Sequence, residues 1–218
     1  MIRFAGVSKR FGSKEALRDV SWEIPAGERV VVLGASGAGK TTLLRLLTME
    51  ILPTEGTVTV GDFISNRLSG GRRMRLRRSL GVVFEDPRLL PDRNIFENVA
   101  LPLHVRGDWN GKHVHDAVRA ELARVGLDER GHDAPVTLSA GEKQRVAVAR
   151  ALVAGPAIVV ADEPTRHLGA EPAKDIVGVL REAHGAGATV VLATHDPAVA
   201  EAFGGRVFRL HDGRLEAA

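Results

Sequence analysis

Apolar residues follow two rhythms along this chain. Alternation with a period of two marks strands over 2–7, 17–24 and 56–61. Short, largely apolar runs at 29–33, 80–84, 157–161 and 188–193 read as strands buried on both faces, and a last strand falls at 206–210. A period near 3.6 predicts helices over 40–48, 72–79, 94–100, 111–125, 140–153, 171–184 and 197–203. Strands interleaved with helices imply an α/β fold whose sheet is mostly parallel, with helices on its faces. The helical stretch between Phe84 and Ala157 breaks that alternation and reads as an insertion into the sheet.

No apolar run approaches the ~20 residues that cross a bilayer. The N-terminus enters a strand pattern directly, without the charged and apolar regions of a secretion signal. The chain is therefore expected to be soluble and cytoplasmic, reaching a membrane only through a partner. It has no cysteine, which excludes a thiol nucleophile and cysteine-ligated metals. A net charge of +3 and an aromatic content of 4% give no footprint for nucleic acid.

Chemistry enters at Gly34-Ala35-Ser36-Gly37-Ala38-Gly39-Lys40-Thr41, a full P-loop pattern between an apolar strand and a helix. The glycines let successive amide N–H groups converge on one anion, and the helix start adds positive potential. Nucleotide contacts are thus expected from Gly34, Ser36, Gly37, Ala38, Gly39, Lys40, Thr41 and Thr42. Lys40 would reach the β- and γ-phosphates, and the Thr41 hydroxyl would ligate Mg²⁺. Downstream, the run Ile158-Val159-Val160-Ala161 ends in Asp162-Glu163. By itself that pair could cap the next helix. Below a P-loop, Asp162 reads as a Mg²⁺ ligand and Glu163 as the base that polarises the attacking water. Between these motifs, Leu138-Ser139-Ala140-Gly141-Glu142 carries a capping box ahead of an apolar stripe.

Together these segments resemble the ATP-binding subunits of ABC systems. Walker A is 34–41, Walker B is 158–163, the signature appears at 138–142, and Thr194-His195-Asp196 is similar to the switch histidine segment. The resemblance implies a P-loop ATPase fold with a mostly parallel core, an antiparallel β subdomain at the N-terminus and an inserted helical subdomain. It also implies one domain over 1–218, with its core at 1–85 and 155–218 and helices at about 86–154. Two such subunits pack head to tail with Mg·ATP between them. Ser139 and Gly141 would then contact the γ-phosphate held by the opposite subunit, and His195 the phosphate of its own. Phe11 would stack on adenine, although it could equally be a core phenylalanine. Within the family, the segments 1–9, 88–93 and 98–103 resemble the cell-division branch, whose subunits pair with an FtsX-like integral membrane protein. Lipoprotein-release and macrolide-efflux subunits carry very similar text.

Some positions depart from the family pattern. Glu85 stands where a Mg²⁺-sensing glutamine is expected, so it remains a metal ligand but brings a charge that Mg²⁺ or Arg88 would have to offset. Thr165-Arg166-His167-Leu168-Gly169 replaces Thr-Gly-Asn-Leu-Asp, and Ala140 replaces a glycine. His167, in place of a loop asparagine, could enter the dimer interface. The arginine run at 72–78 is expected to be a solvated face, His113 and His115 exposed, Trp22 core, and Trp109 a loop or partner contact. A nucleotide kinase would share Walker A but not the signature, and a scaffold that binds ATP without turnover would share both.

Overall fold

The computed structural model describes residues 1–166 and 168–218. Ten strands and seven α-helices lie among them. An antiparallel sheet of order β2-β1-β4-β5 is built from β1 (Ile2–Phe11), β2 (Lys14–Ile24), β4 (Glu55–Val60) and β5 (Phe63–Ile64). A second sheet has the order β10-β9-β3-β8-β7-β6, from β3 (Arg29–Leu33), β6 (Leu80–Val83), β7 (Ile158–Asp162), β8 (Thr189–Thr194), β9 (Arg206–His211) and β10 (Arg214–Ala217). Of its five pairings four are parallel, and the β9–β10 hairpin at the edge is antiparallel.

Period-two geometry explains why the central strands read as continuous apolar runs. Val30, Val32, Val160, Val191 and Ala193 face one side, where α1 (Lys40–Leu47) lies between the two sheets with Leu43, Leu44, Leu46 and Leu47 buried. Val31, Val159, Ala161, Val190 and Leu192 face the other, covered by α6 (Ala170–Gly185) and α7 (Pro197–Phe203). A buried leucine of α1 is worth about 2–5 kcal/mol against alanine. Trp22 is core, packed against Phe4 and Phe208.

Between β6 and β7 come α3 (Ile95–Arg106), α4 (Gly111–Arg124) and α5 (Ala140–Leu152), which pack on one another. The pattern ends α3 near residue 100, yet the helix continues through Pro102 to a left-handed Gly107. The proline removes one backbone donor. Burial of Val99, Ala100 and Leu103 against the other helices carries the helix across it. Helix α2 (Gly70–Ser79) buries only Leu76 and sends its arginines outward, as expected of a solvated face. His113 and His115 are exposed, and Trp109 is 73% exposed, stacked on His104. His167 lies outside the described residues. No described helix is long and apolar enough to cross a membrane.

Candidate functional site

Register brings the motifs together. In adjacent parallel strands Leu33 pairs with Thr194, Asp162 with Ala193, and Val83 with Ala161. The P-loop, Asp162-Glu163, His195 and Phe84-Glu85 therefore leave the sheet at one carboxyl edge, where ligands sit in open α/β sheets. Two backbone bonds lock this edge: Gly34 N–H donates to Thr194 O at 3.2 Å, and Glu163 N–H to Ala193 O at 2.9 Å.

The loop over 34–39 is close against its surroundings. Gly39 has φ +110°, and a Cβ there would lie 2.6 Å from the Ala16 carbonyl oxygen. A Cβ on Gly34 would lie 2.4 Å from the Leu210 carbonyl oxygen. Neither position tolerates a side chain without moving backbone. Among the described residues no side chain caps α1, so the N–H groups of its first turn are left to the loop and its ligand.

Lys40 is buried and gathered by three acceptors. Its Nζ donates to Gly34 O at 2.7 Å and Ala35 O at 3.1 Å, and pairs with Glu163 Oε1 at 3.0 Å. The second Glu163 oxygen accepts from His195 Nδ1 at 2.8 Å and His195 N–H at 3.2 Å. Burial alone would raise the Glu163 carboxyl, but the bonds from His195 and Lys40 outweigh it and hold the group below its ordinary value. Glu163 also sits at φ +45°, an uncommon conformation for a residue with a side chain. The site thus holds its carboxylate in a strained, fully bonded position.

Asp162 behaves oppositely. Burial raises its carboxyl, the Thr41 hydroxyl pulls it back, and the Glu163 and Glu85 charges raise it further. Its Oδ1 is buried without a hydrogen-bond partner among the described residues. An orphaned carboxylate oxygen beside a threonine hydroxyl and a third carboxylate is an oxygen donor set suited to Mg²⁺.

Phe11, Ser36, Gly37, Gly39, Lys40, Thr41, Thr42, Glu85, Glu163 and Arg166 share one cleft of about 340 Å³. Phe11 is 45% exposed there, so the core alternative is excluded. Asp162, Thr41 and Glu85 also line an adjoining cleft of about 600 Å³. Ser139 and Gly141 line neither. They open α5, where Ser139 and Glu142 form the expected capping box.

Sequence reasoning missed four residues that shape this edge. Arg166 forms an ion pair with Glu85 at 2.6 Å. Arg88, one of the two expected offsets, instead lays its guanidinium over the Phe84 ring at 4.0 Å. Buried Gln144 on α5 donates to Phe84 O at 3.0 Å, and Arg150 donates to the carbonyls of Pro87 and Arg88. Asn98, fully buried, bonds the 90–94 loop through both ends of its amide. Polar residues on the apolar faces of α3 and α5 were the available signal for Asn98 and Gln144.

A family model described as "ABC transporter" matches residues 17–166. The cell division ATP-binding protein FtsE of Mycobacterium tuberculosis is 40% identical over 217 residues, covering 99% of this chain and 94% of that protein. Its Escherichia coli counterpart is 39% identical, covering 99% and 97%. A macrolide export ATP-binding/permease protein, MacB of Burkholderia pseudomallei, is 40% identical over 99% of this chain but only 33% of its own length. Among solved structures, a dimeric ATP-binding cassette in a post-hydrolysis state with ADP and Pi superposes with a TM-score of 0.90 at 34% identity, covering 99% and 97% of the two chains.

Proposed function

This chain belongs to the ABC transporter family, and from that premise we propose that it is the ATP-binding, ATP-hydrolysing subunit of a cell-division complex. The observation that carries the reading is the convergence of Lys40, Glu163 and His195 in one bonded cluster at the mouth of the P-loop. Lys40 and the loop amides bind the phosphates, and Phe11 offers an exposed ring to the base. Glu163 takes the proton of the attacking water, with His195 holding its second oxygen in place. Thr41, Asp162 and Glu85 would hold Mg²⁺, which would supply charge neutralisation for the phosphates.

In this reading the chain is one ATP-binding domain with its core at 1–85 and 155–218 and a helical part over 86–154. A second copy supplies Ser139 and Gly141 to complete each site. Their place outside the cleft of their own chain supports that arrangement, as does the dimeric cassette among the similar structures. The subunit would sit at the cytoplasmic face of the cell membrane, held by an FtsX-like integral partner.

Two measurements test this. The purified chain should release phosphate from Mg·ATP, and Lys40→Ala, folded by circular dichroism, should neither bind nor hydrolyse it at micromolar nucleotide. Equal binding by a folded Lys40→Ala would overturn the reading. Pull-down from detergent-solubilised membranes should recover a permease of the cell-division kind. Recovery of one with a large periplasmic efflux domain instead would move the chain to the macrolide-export branch.

A further inference from the structure

Two charged side chains of the nucleotide cleft, Arg166 and Glu85, are each other's partners. Arg166 lies three residues beyond Glu163, in the turn closed by its own N–H on Glu163 O at 3.1 Å. Its guanidinium meets Glu85 Oε1 at 2.6 Å across 81 positions of sequence. Both side chains are a little over one-third exposed and line the cleft of Lys40, Thr41 and Ser36.

Asp162, Glu163 and Glu85 place three carboxylates around the phosphate loop, and Lys40 supplies one cation. Glu85 is close enough for its charge to raise the Asp162 carboxyl. An incoming polyphosphate would meet a net negative site. Arg166 removes one charge from that sum, and its bond fixes one Glu85 oxygen so that the carboxylate does not swing toward the phosphates. The loop bearing Glu85 is pinned from behind by Gln144 and Arg150, so the pair joins two anchored segments.

We propose that Arg166 is a positioning residue of the nucleotide site, whose ion pair with Glu85 cancels and orients the carboxylate that this chain places beside the metal and phosphate ligands. The proposal rests on the ATP-binding reading above. It makes Arg166 and Glu85 a matched pair, in which one charge is harmful without the other.

Equilibrium binding of fluorescent mant-ATP to the purified chain, with Mg²⁺ and in EDTA, tests this. A partly exposed pair of this kind changes binding by about five-fold when one charge is left alone. Arg166→Ala should weaken binding by about that factor in EDTA and by less with Mg²⁺, since the metal offsets the freed carboxylate. Arg166→Gln should do the same if the alanine variant folds poorly, whereas Arg166→Lys should stay near wild type. Glu85→Gln added to Arg166→Ala should restore wild-type affinity in EDTA, a recovery that a purely structural role for Arg166 would not give. Wild-type affinity in Arg166→Ala, or a loss that Glu85→Gln does not recover, overturns the pairing while leaving ATP binding intact. Failure of the wild-type chain to bind mant-ATP overturns the ATP-binding reading itself.

Discussion

Replacing Glu163 by glutamine separates the structural and chemical roles of one carboxylate. Both its oxygens are engaged: one by Lys40 at 3.0 Å, the other by the His195 ring and backbone N–H at 2.8 and 3.2 Å. A glutamine has one acceptor and one donor end. If its oxygen faces Lys40, its NH₂ confronts the His195 N–H, and the buried ammonium loses its counter-charge. Losing a buried hydrogen bond to a charged group costs about 2 kcal/mol. For a chain of 218 residues that is a fall in Tm of about 4–8 °C without nucleotide. With Mg·ATP the comparison reverses. Phosphate need no longer displace a carboxylate from Lys40, so ligand-induced stabilisation should be larger in Glu163→Gln than in wild type. Turnover should fall at least ~10²-fold through loss of the base. Thermal melts with and without Mg·ATP, phosphate release and size-exclusion chromatography read all three, and nucleotide should trap the variant as a dimer. An unchanged nucleotide-free Tm together with normal turnover would refute both the ion-pair energetics and the assignment of the base.

Asp162→Asn removes a desolvated charge whose Oδ1 is orphaned, so the nucleotide-free Tm at neutral pH should rise by about 2–4 °C, roughly 1 kcal/mol. The same variant should lose the Mg²⁺ dependence of mant-ATP binding, and a lower Tm would refute the orphan argument. Phe11→Ala, at an exposed position, should leave stability within about 0.5 kcal/mol of wild type. It should weaken mant-ATP binding at least about five-fold if the ring stacks on the base; unchanged affinity refutes that. Glu142 titrates below its ordinary value near 4.5 because the Ser139 hydroxyl, then the Ser139 N–H, bond its charged form. A depressed folded value contributes stability above the unfolded value that is lost as pH falls through the folded one. The Tm gap between wild type and Glu142→Gln should therefore be full at neutral pH and close below about pH 4.5.

Much of this protein is fixed by local chemistry. A buried apolar strand, the G-x-x-x-x-G-K-T turn from Gly34 to Thr41 and a helix in succession mark the P-loop, and the strand that ends at Asp162-Glu163 delivers two carboxylates to a sheet edge. Ser139 and Glu142 make their capping box within four residues. Such features need only neighbours in sequence, so the pattern reveals them. Other features depend on partners that the pattern does not name. Strands β5 and β10, of two and four residues, exist because β4 and β9 present an edge to them. Helix α3 crosses Pro102 because its face is buried against α4 and α5. The register of β3, β6, β7 and β8 brings Glu85 to Arg166, and sets Lys40 between loop carbonyls and Glu163. A charge pair across 81 residues leaves no periodic trace. Its partners are chosen by strand order and register, which are set by burial of two whole sheet faces rather than by either residue.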